Sequence, residues 1–339
     1  MGVDISSILI KHATTLKENA GKMVTVDAYN IIYQFLSRIR GEDGEPLKDS
    51  AGNITSHLSG IFYRTSSLLE NKIKPVYCFD GKPFYLKNET LKERRLIREK
   101  NIEELNAAIK NNDMERARSL SSRINYITDD IINESKKLLD FMGIPWIQAP
   151  SEGEAQASYT ARAGIVDSVI SQDYDCLLFG APRVLRNFTV YGKRRISGTG
   201  KYINVSPEII NLEENLENNG ITQEQLIDIG ILVGTDFNSG IPGIGAKTAL
   251  KLIKKFGTIE NVLKEKNKNI DHLDEIKDFF KNPPVEKNIN LNFKRPDRNR
   301  IIDFLCGQHN FSESRIINVL DIMDRNFTDT SQSSLDKFT

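Results

Sequence analysis

Residues 23–40 read MVTVDAYNIIYQFLSRIR: a short run of Val and Thr, an acid, and then apolar residues at helical spacing. A run of this kind predicts a buried strand, and the spacing after it predicts an amphipathic helix. The same order recurs along the chain. The strand-like runs are Met23–Val26, Lys74–Phe79, Gly143–Ile147 and Ser168–Ser171, and the helical patterns are Ala28–Arg40, Ser56–Asn71, about Thr90–Ile127 and Asp130–Met142. Strands that alternate with helices predict an α/β fold with a mostly parallel sheet between helices.

The composition is that of an ordinary globular chain. Its 339 residues are 39% hydrophobic and 27% charged, with a formal net charge of zero. No apolar run reaches the length of about 18 residues that a membrane span needs, so we expect no membrane association. Three scattered cysteines predict neither a disulfide framework nor a zinc cluster. Zero net charge does not exclude nucleic-acid binding, because acids gathered in one site can offset basic surface elsewhere.

Acidic residues follow each of the predicted parallel strands. Binding sites in such sheets form at the carboxyl ends of the strands. A single Asp there is equally well explained as a helix N-cap, but capping does not explain an acid after every strand. The acids in question, with one from further downstream, are Asp27, Asp80, Glu152, Glu154, Asp173, Asp175 and Asp236. Carboxylates without His or Cys favour Mg²⁺ or Mn²⁺, and two such ions about 3.5–4 Å apart can promote phosphoryl displacement.

A second stretch indicates the substrate. Residues 236–257 read DFNSGIPGIGAKTALKLIKKFG. Gly243 and Gly245 permit a tight, positive-φ backbone just before a helix N-terminus, where backbone amides can bind a phosphate. The helix that follows carries positive charge uninterrupted by acids, from Lys247, Lys251, Lys254 and Lys255. This pattern predicts a helix–hairpin–helix-like motif that binds the DNA backbone independently of base sequence and in a salt-sensitive way.

Taken together, these motifs resemble those of the flap endonucleases of archaeal and eukaryotic replication, within the larger group of XPG-type nucleases. The matching motifs, in order, are Val26–Ala28 with Tyr33, Phe79–Pro83, Ala149–Ala157, Ser171–Asp175 and Gly234–Asp236. The resemblance covers the whole chain. It implies a PIN-like 5′-nuclease core, a helical arch over the active site, and a helix–three-turn–helix motif. It also implies 5′-flap endonuclease and 5′–3′ exonuclease activity in Okazaki fragment maturation and DNA repair.

The resemblance also implies roles for individual residues. The acids match a site for two Mg²⁺ ions, with Mn²⁺ as a substitute. One ion would be held by Asp27, Asp80, Glu152 and Glu154, and the other by Asp173, Asp175 and Asp236. Lys87 and Arg94 match electrophiles for the scissile phosphate, and their spacing of seven residues puts them on one helix face. Tyr33 matches an aromatic on which a base stacks, with a core-facing helical aromatic as the alternative.

The DNA-binding turn and the tail complete what the resemblance implies. Gly234, Asp236, Gly243 and Gly245 match DNA-binding positions, and the Gly240–Gly245 loop matches a turn that binds K⁺ and phosphate. At the end of the chain, Gln332, Leu335 and Phe338 resemble a peptide that binds the sliding clamp (PCNA). Thr339 stands where that peptide has a second aromatic, and a chance pattern in a polar tail is the alternative. The expected partners are therefore branched DNA and the clamp.

The predicted boundaries follow from the same motifs. We expect a single nuclease domain over residues 1–324 and a flexible tail over 325–339, with the clamp motif at 332–339. Within the domain lie an N-terminal nuclease region at about 1–98, the arch at about 82–129, and an internal nuclease region at about 130–258. The helix–three-turn–helix spans about 226–257. The arch segment is long and heavily charged, and an ordinary solvated surface helix is its alternative interpretation.

Two other classes of function stay open on the sequence alone. One is a related nuclease, such as a junction resolvase, a mismatch-repair exonuclease or an XPG-like bubble nuclease, although the compact length disfavours these. The other is a non-catalytic scaffold that binds DNA and the clamp. The full set of acids disfavours a scaffold, because so much repulsion serves no purpose there. We expect a monomer in the cytoplasm of an archaeal cell, or in the nucleus if the source is eukaryotic.

Overall fold

The computed structural model describes residues 2–41, 44–121, 124, 127–189, 192–195 and 202–335. The strands are β1 (His12–Ala13), β2 (Met23–Asp27), β3 (Lys74–Phe79), β4 (Trp146–Gln148), β5 (Ser168–Ile170), β6 (Arg183–Arg186), β7 (Gly192–Arg195), β8 (Tyr202–Val205) and β9 (Glu208–Asn211). The helices up to the middle of the chain are α1 (Ala28–Arg38), α2 (Ser56–Glu70), α3 (Asn88–Lys110), α4 (Met114–Ser121), α5 (Asp129–Met142), α6 (Gly153–Arg162) and α7 (Asp175–Leu178). The later helices are α8 (Leu212–Asn219), α9 (Gln223–Val233), α10 (Ala246–Phe256), α11 (Ile259–Lys266), α12 (Leu273–Lys281), α13 (Arg298–Ile302) and α14 (Glu313–Leu335).

Shorter helical segments connect several of these elements. They are 3₁₀ turns at Ser6–Ile8, Lys17–Asn19 and Tyr85–Lys87, and a π-helical segment at Asp303–Gln308.

Within the described residues, a seven-stranded sheet has the order β1-β9-β6-β5-β2-β3-β4. The strands from β6 to β4 are parallel, while β9 and β1 add an antiparallel edge. The central register pairs Val26 with Tyr77 on one side and with Ile170 on the other. The α/β fold with a mostly parallel sheet, expected from the sequence, is confirmed.

The sheet separates two apolar clusters because side chains alternate along a strand. In β3, Val76 and Cys78 belong to one cluster, whereas Tyr77 and Phe79 belong to the other. Helices α6, α9, α10 and α12 cover the first cluster, and α1, α2, α5 and α14 cover the second. Both faces of the sheet are therefore buried, which leaves the carboxyl ends of its strands as the place for a polar site.

The predicted arch segment, whose charged sequence suggests a solvated helical pair, consists of α3 and α4. Helix α3 ends at Lys110, Asn112 adopts a positive φ of 54°, and α4 begins at Met114. The two helices pack on each other through a small cluster of Ala108, Ala117 and Leu120, separate from the two large clusters. The segment is thus a pair of helices with a small apolar cluster of its own.

The second half of the chain is less helical than its apolar spacing suggests. Helical patterns dominate the sequence from Ser206 to about Asp324, yet strand β9 and residues 283–297, which are neither helix nor strand, lie in this region. Residues 283–297 make tertiary hydrogen bonds: Lys294 N donates to Gly143 O at 2.9 Å, and Asp297 N donates to Phe141 O at 2.8 Å. Local periodicity does not reveal such distant partners, which explains why the helical patterns do not indicate these two segments.

The C-terminal boundary also differs from the prediction. Helix α14 continues to Leu335, so helical backbone extends into the segment predicted as a flexible tail from residue 325. Residues 336–339, which include Phe338, lie outside the described residues, as do the side chains of Gln332 and Leu335. In the described part of the chain, no helix is long and apolar enough to cross a bilayer.

Candidate active site

The sheet brings the predicted acids to one edge. Asp27 is the last residue of β2, Asp80 follows β3, and Asp173 follows β5. Glu152 is the residue before α6, and Glu154 lies in its first turn. Asp175 begins α7, and Asp236 comes from the loop between α9 and α10. Parallel strands end at the same edge, so residues from distant parts of the sequence become neighbours.

Asp27 is both an N-cap and a member of this site. Its Oδ1 accepts a hydrogen bond from Asn30 N at 3.1 Å, and its Oδ2 accepts one from Ser171 Oγ at 3.2 Å. Asn30 Nδ2 donates to Asp173 Oδ2 at 2.9 Å, and thereby joins the acids of two strands. Capping and a functional role, which the sequence presents as alternatives, therefore coexist in this residue.

Backbone amides hold two more of the acids. Asp80 Oδ1 accepts from Gly153 N at 2.6 Å, at the N-terminus of α6. Asp175 Oδ1 accepts from Val3 N at 2.7 Å, so the N-terminal segment packs directly on the site. The side chain of Glu152, although at the N-cap position of α6, makes no capping hydrogen bond. Its carboxylate is turned towards Lys87 instead.

Burial and mutual repulsion raise the pKa of several of these acids. Burial, followed by the charge of Asp80, raises the pKa of Asp27 to about 8. Burial raises the pKa of Asp175 to about 7, with Asp236 and Asp173 adding repulsion. Burial and Glu152 raise the pKa of Asp80 to about 6. These influences link the acids into one electrostatic cluster that positive charge would stabilise.

Glu154 is a further member of the electrostatic cluster. Its pKa is raised well above the ordinary value by burial first, and then by Asp175, Asp27 and Asp173. It therefore faces acids of both β2 and β5 as well as the start of α7. The seven predicted residues are brought together, although no metal ligand is assigned by this arrangement alone.

Two cations from the arch base face the acids. Lys87 Nζ donates to Glu152 and lies 3.5 Å from Asp236 Oδ2. Arg94 Nη2 lies 2.5 Å from Asp236 Oδ1. Burial by itself lowers the pKa of Lys87, but Glu152, Glu154 and Asp236 outweigh it and leave the pKa raised. Lys87 is the N-cap residue of α3 and Arg94 lies within that helix, and both side chains contact the acids.

The donor set fits hard divalent cations. The cluster presents carboxylate oxygens, which Mg²⁺ and Mn²⁺ prefer, and the raised pKa values show how unfavourable their negative charge is without added cations. Among the described residues, no group of three or more His, Cys, Asp or Glu side chains stands in a metal-binding geometry. Lys87 and Arg94 contact Glu152 and Asp236.

The predicted DNA-binding loop lies between α9 and α10. Helix α9 begins with a capping box formed by Thr222 and Gln225, slightly before the predicted start at residue 226. Gly234 and Gly243 adopt positive φ values of 111° and 83°. The lysines of α10 are all exposed, as a DNA-binding surface requires: Lys247, Lys251, Lys254 and Lys255.

Gly245 corrects one detail of that prediction. Its φ is −89°, so it does not need the left-handed region that the sequence pattern suggested for it. It is instead the N-cap of α10, and a Cβ at this position would meet no atom within 4 Å. An N-cap without a side chain leaves the first amides of the helix accessible to an anion.

The structure bears on the predicted role of Tyr33 and adds three residues to the site. Tyr33 is 45% exposed on α1, so the core-facing alternative is wrong, while base stacking stays a prediction. Asn30, Ser171 and Val3 hold acids of the site but were not predicted. Asn30 and Ser171 lie close in sequence to acidic motifs, and this was the only sign in the sequence that they belong to the site. Nothing in the sequence pointed to Val3, because its partner is 172 residues away.

Comparisons with known proteins agree with this geometry. The family model of the XPG N-terminal domain matches residues 1–101, and that of the XPG I-region matches residues 143–236. Flap endonuclease 1 of Picrophilus torridus is 69% identical over 338 residues, which cover 100% of both chains. The solved structure of flap endonuclease-1 from Methanococcus jannaschii has a TM-score of 0.78 and 41% identity, covering 97% of this chain and 100% of that one.

A more distant structure shows the same fold. The catalytic core of Rad2 in complex with a DNA substrate has a TM-score of 0.72 at 24% identity, and covers 95% of this chain and 100% of that one. At 24% identity, this similarity is evidence for a common fold and for nothing further. With the converging acids, the arch-base cations and the full-length match to close relatives, the chain belongs to the flap endonuclease family.

Proposed function

We propose that this chain is a structure-specific 5′-flap endonuclease with 5′–3′ exonuclease activity, which hydrolyses phosphodiesters with two divalent ions. The observation that carries the proposal is the convergence of acids from four strand ends and from the α9–α10 loop under two arch-base cations. Close relatives bear the name of this activity. Okazaki fragment maturation and DNA repair are the processes in which such a reaction is needed.

The seven acids are the residues that would hold the ions. One Mg²⁺ would be held by Asp27, Asp80, Glu152 and Glu154, and the second would be held by Asp173, Asp175 and Asp236. When bound, the ions supply an activated water and stabilise charge on both oxygens of an in-line displacement. Asn30, through its contacts with Asp27 and Asp173, holds two of the acids in a fixed relation. Mn²⁺ is the expected substitute because it shares the preference for oxygen ligands.

Lys87 and Arg94 would stabilise charge on the scissile phosphate. Both now contact acids, and Lys87 is held in its charged form by them. A phosphate that enters the site offers them equivalent negative oxygens, so each can exchange a carboxylate for the substrate. Cations that are fixed before the reaction stabilise developing charge without a reorganisation cost. We place these two residues in the catalytic role and Tyr33 in a base-stacking role.

The α9–α10 unit would hold the duplex part of the substrate. Its exposed lysines and the open N-terminus of α10 present donors for the phosphate backbone. We include a K⁺ ion, which the Gly240–Gly245 loop would hold and which would add positive charge for the phosphate backbone. Such contacts are independent of base sequence, which suits an enzyme that recognises branched structure.

The remaining parts of the proposal concern the partners and the environment. Residues 332–339 would bind the sliding clamp through Gln332, Leu335 and Phe338. We propose a single nuclease domain that acts as a monomer, with the α3–α4 pair as its arch. The chain would work in the cytoplasm of an archaeal cell, or in the nucleus if its source is eukaryotic.

The decisive test is cleavage of a 5′-labelled double-flap DNA with Mg²⁺, with Mn²⁺ and with EDTA. Metal-dependent release of the flap that is lost in Asp173→Ala is the expected result. Bubbles and four-way junctions are run beside the flap, and faster cutting of either would favour a related nuclease. Tight binding of the flap with no turnover in any metal would favour the scaffold and contradict the proposal.

A further inference from the structure

We propose that three aromatic side chains, Phe84, Phe237 and Phe279, form a positioning device that fixes Lys87 relative to Asp236. The proposal rests on the proposed function, because it assigns these rings to the cleavage step. It adds three residues to the acids, the arch-base cations and the predicted DNA-binding residues, and one of them, Phe237, lies within the α9–α10 loop. None of the three rings contacts the reacting phosphate in this proposal, so they are positioning residues rather than catalytic ones.

The three rings contact one another in a closed triangle. Phe84 stacks on Phe279 with a centroid separation of 4.1 Å and an interplanar angle of 8°. Phe237 meets both rings edge-on, at 5.5 Å from Phe84 and 5.0 Å from Phe279. Offset stacking and edge-to-face contacts are the geometries that aromatic pairs favour. Three segments, far apart in sequence, are thereby held in one arrangement.

The first segment carries Lys87. Phe84 O accepts a hydrogen bond from Lys87 N at 2.9 Å, so the ring and the ammonium belong to one tight turn. Phe84 N in turn approaches Glu152 Oε1 at 3.4 Å, the acid whose other oxygen accepts from Lys87. A shift of the Phe84 ring would therefore move the turn from which Lys87 reaches the acids.

The second segment carries Asp236. Phe237 is its direct neighbour in the chain and is almost fully buried. Thr90, one turn after Lys87, donates from Oγ1 to Asp236 O at 2.8 Å, and Arg94 contacts the carboxylate of the same residue. The side chains of Lys87 and Asp236 lie 3.5 Å apart, and their backbones are joined on one side by Thr90 and on the other by the aromatic contact.

The third segment, α12, supplies a fixed support. Its Ile276, Phe279 and Phe280 are buried in the larger apolar cluster. Lys277 Nζ lies 3.0 Å from the buried Asp228 of α9, which anchors α12 to the DNA-binding unit. Phe280 also packs on Phe237, with a centroid distance of 5.5 Å. The arch base is therefore fastened to the part of the protein that would hold duplex DNA.

A device of this kind has a defined kinetic consequence. Displacement of a reacting or stabilising group by about 1 Å can cost two orders of magnitude in rate, whereas binding through distant contacts is unaffected. Leu in place of Phe279 keeps an apolar side chain but removes the stack on Phe84. We expect Phe279→Leu to slow single-turnover flap cleavage roughly tenfold, with the Kd for flap DNA in EDTA unchanged within about twofold.

The test is a double-mutant cycle on the full-length chain with double-flap DNA and Mg²⁺. Phe279→Leu is measured alone and in a Lys87→Ala background, and the coupling energy is taken from the four rates. If the ring acts by positioning Lys87, it causes little further loss once the ammonium is gone. An equal loss in both backgrounds, or a wild-type rate for Phe279→Leu, would overturn the proposal. Absence of cleavage by the wild type would instead refute the proposed function.

Two further variants guard against a trivial loss of folding. Phe84→Leu removes the other half of the stack at a less buried position and should give the same non-additive loss, whereas Phe84→Tyr keeps the ring and should cleave at the wild-type rate. Phe304→Leu is the matched control, because Phe304 is a buried ring in edge contact with Phe141 within the other apolar cluster. It should lower the Tm without a Lys87-dependent change in rate, and such a change would count against the proposal.

Discussion

At the scale of single residues, the site is a cluster of buried acidic groups whose mutual repulsion lowers the stability of the folded protein. Asp27 and Glu154 lie among other acids, and burial with mutual repulsion raises the pKa of both. Lys87 offsets part of this repulsion through its contacts with Glu152 and Asp236. A cluster of this kind is less stable than a neutral one until cations bind, and that imbalance can be measured.

Neutralising one acid should stabilise the metal-free protein. In Asp27→Asn, the amide oxygen can still accept from Asn30 N as the cap of α1, while the buried charge is removed. We expect the Tm in EDTA at pH 8.5 to rise by several degrees, roughly 2 °C per kcal/mol of relieved repulsion. Flap cleavage should be abolished in the same variant. Calorimetry and the cleavage assay check both parts, and a lower Tm in EDTA would contradict the repulsion argument.

The same repulsion predicts a direction for the pH dependence of stability. Asp27, with a pKa of about 8, and Asp175, with a pKa of about 7, keep their protons in the folded protein at pH values where an unfolded Asp is ionised. The stability they contribute is therefore fully present below about pH 4 and is lost as the pH rises to about 8. Unfolding midpoints from pH 5 to 9 should fall more steeply in EDTA than in Mg²⁺. Parallel curves in the two conditions would argue against ion binding by these acids.

At the scale of elements, α10 is amphipathic in a way that serves two purposes. Ala249 and Ile253 are buried against α9 and the core, while its lysines face solvent. Replacing Lys251 and Lys254 by Ala should weaken binding of duplex DNA. It should also reduce the slope of log K against log salt by about 1 for each DNA phosphate that the variant no longer binds. Fluorescence anisotropy at several salt concentrations measures this slope.

The matched control for α10 is Lys264→Ala with Lys266→Ala on the neighbouring α11. These lysines are also exposed but belong to the next helix. Their loss should alter the slope less than the loss of the α10 pair. Equal changes for both pairs would mean that diffuse positive charge, rather than the face of α10, binds the DNA.

The arch helices α3 and α4 have few buried contacts with the core. Leu96 and Ile97 of α3 are 65% and 61% exposed, and α3 and α4 share only a small apolar cluster of their own. Segments with few buried contacts open at low free energy. We expect limited proteolysis to cut between Leu91 and Ser122 and flap DNA to suppress that cleavage. Resistance that is equal with and without DNA would refute the prediction.

At the scale of the whole molecule, the nuclease core and the clamp-binding tail should be separable. Among the side chains that the structure describes, Met323 is the last member of the two large apolar clusters. A chain truncated after residue 331 should keep its Tm and its cleavage of free flap DNA. It should lose binding to the sliding clamp in a pull-down or by calorimetry, and Phe338→Ala should do the same. Clamp binding that survives both changes would place the contact elsewhere.

Much of the fold and the site could be predicted because the information is local. The strands around Val26 and Val76, the acids that follow them, and the lysines of α10 are all visible as short patterns. The spacing of Lys87 and Arg94 likewise predicts that the two side chains lie near each other, and in the structure both contact acids of the site. The predictions failed where local pattern conflicts with distant contacts. Strand β9 and residues 283–297 are examples, since their hydrogen bonds go to remote segments.

The sequence by itself therefore determined the class of fold, the set of acids and the expected chemistry. Only the tertiary structure decided which groups hold those acids: Asn30 and Ser171 on Asp27, and Val3 on Asp175. It also brought together Phe84, Phe237 and Phe279, whose positions in the chain give no sign that they meet. The physical reason is that helix and strand periodicity depend on near neighbours, whereas burial, pKa shifts and ring packing depend on segments that only the folded chain makes adjacent.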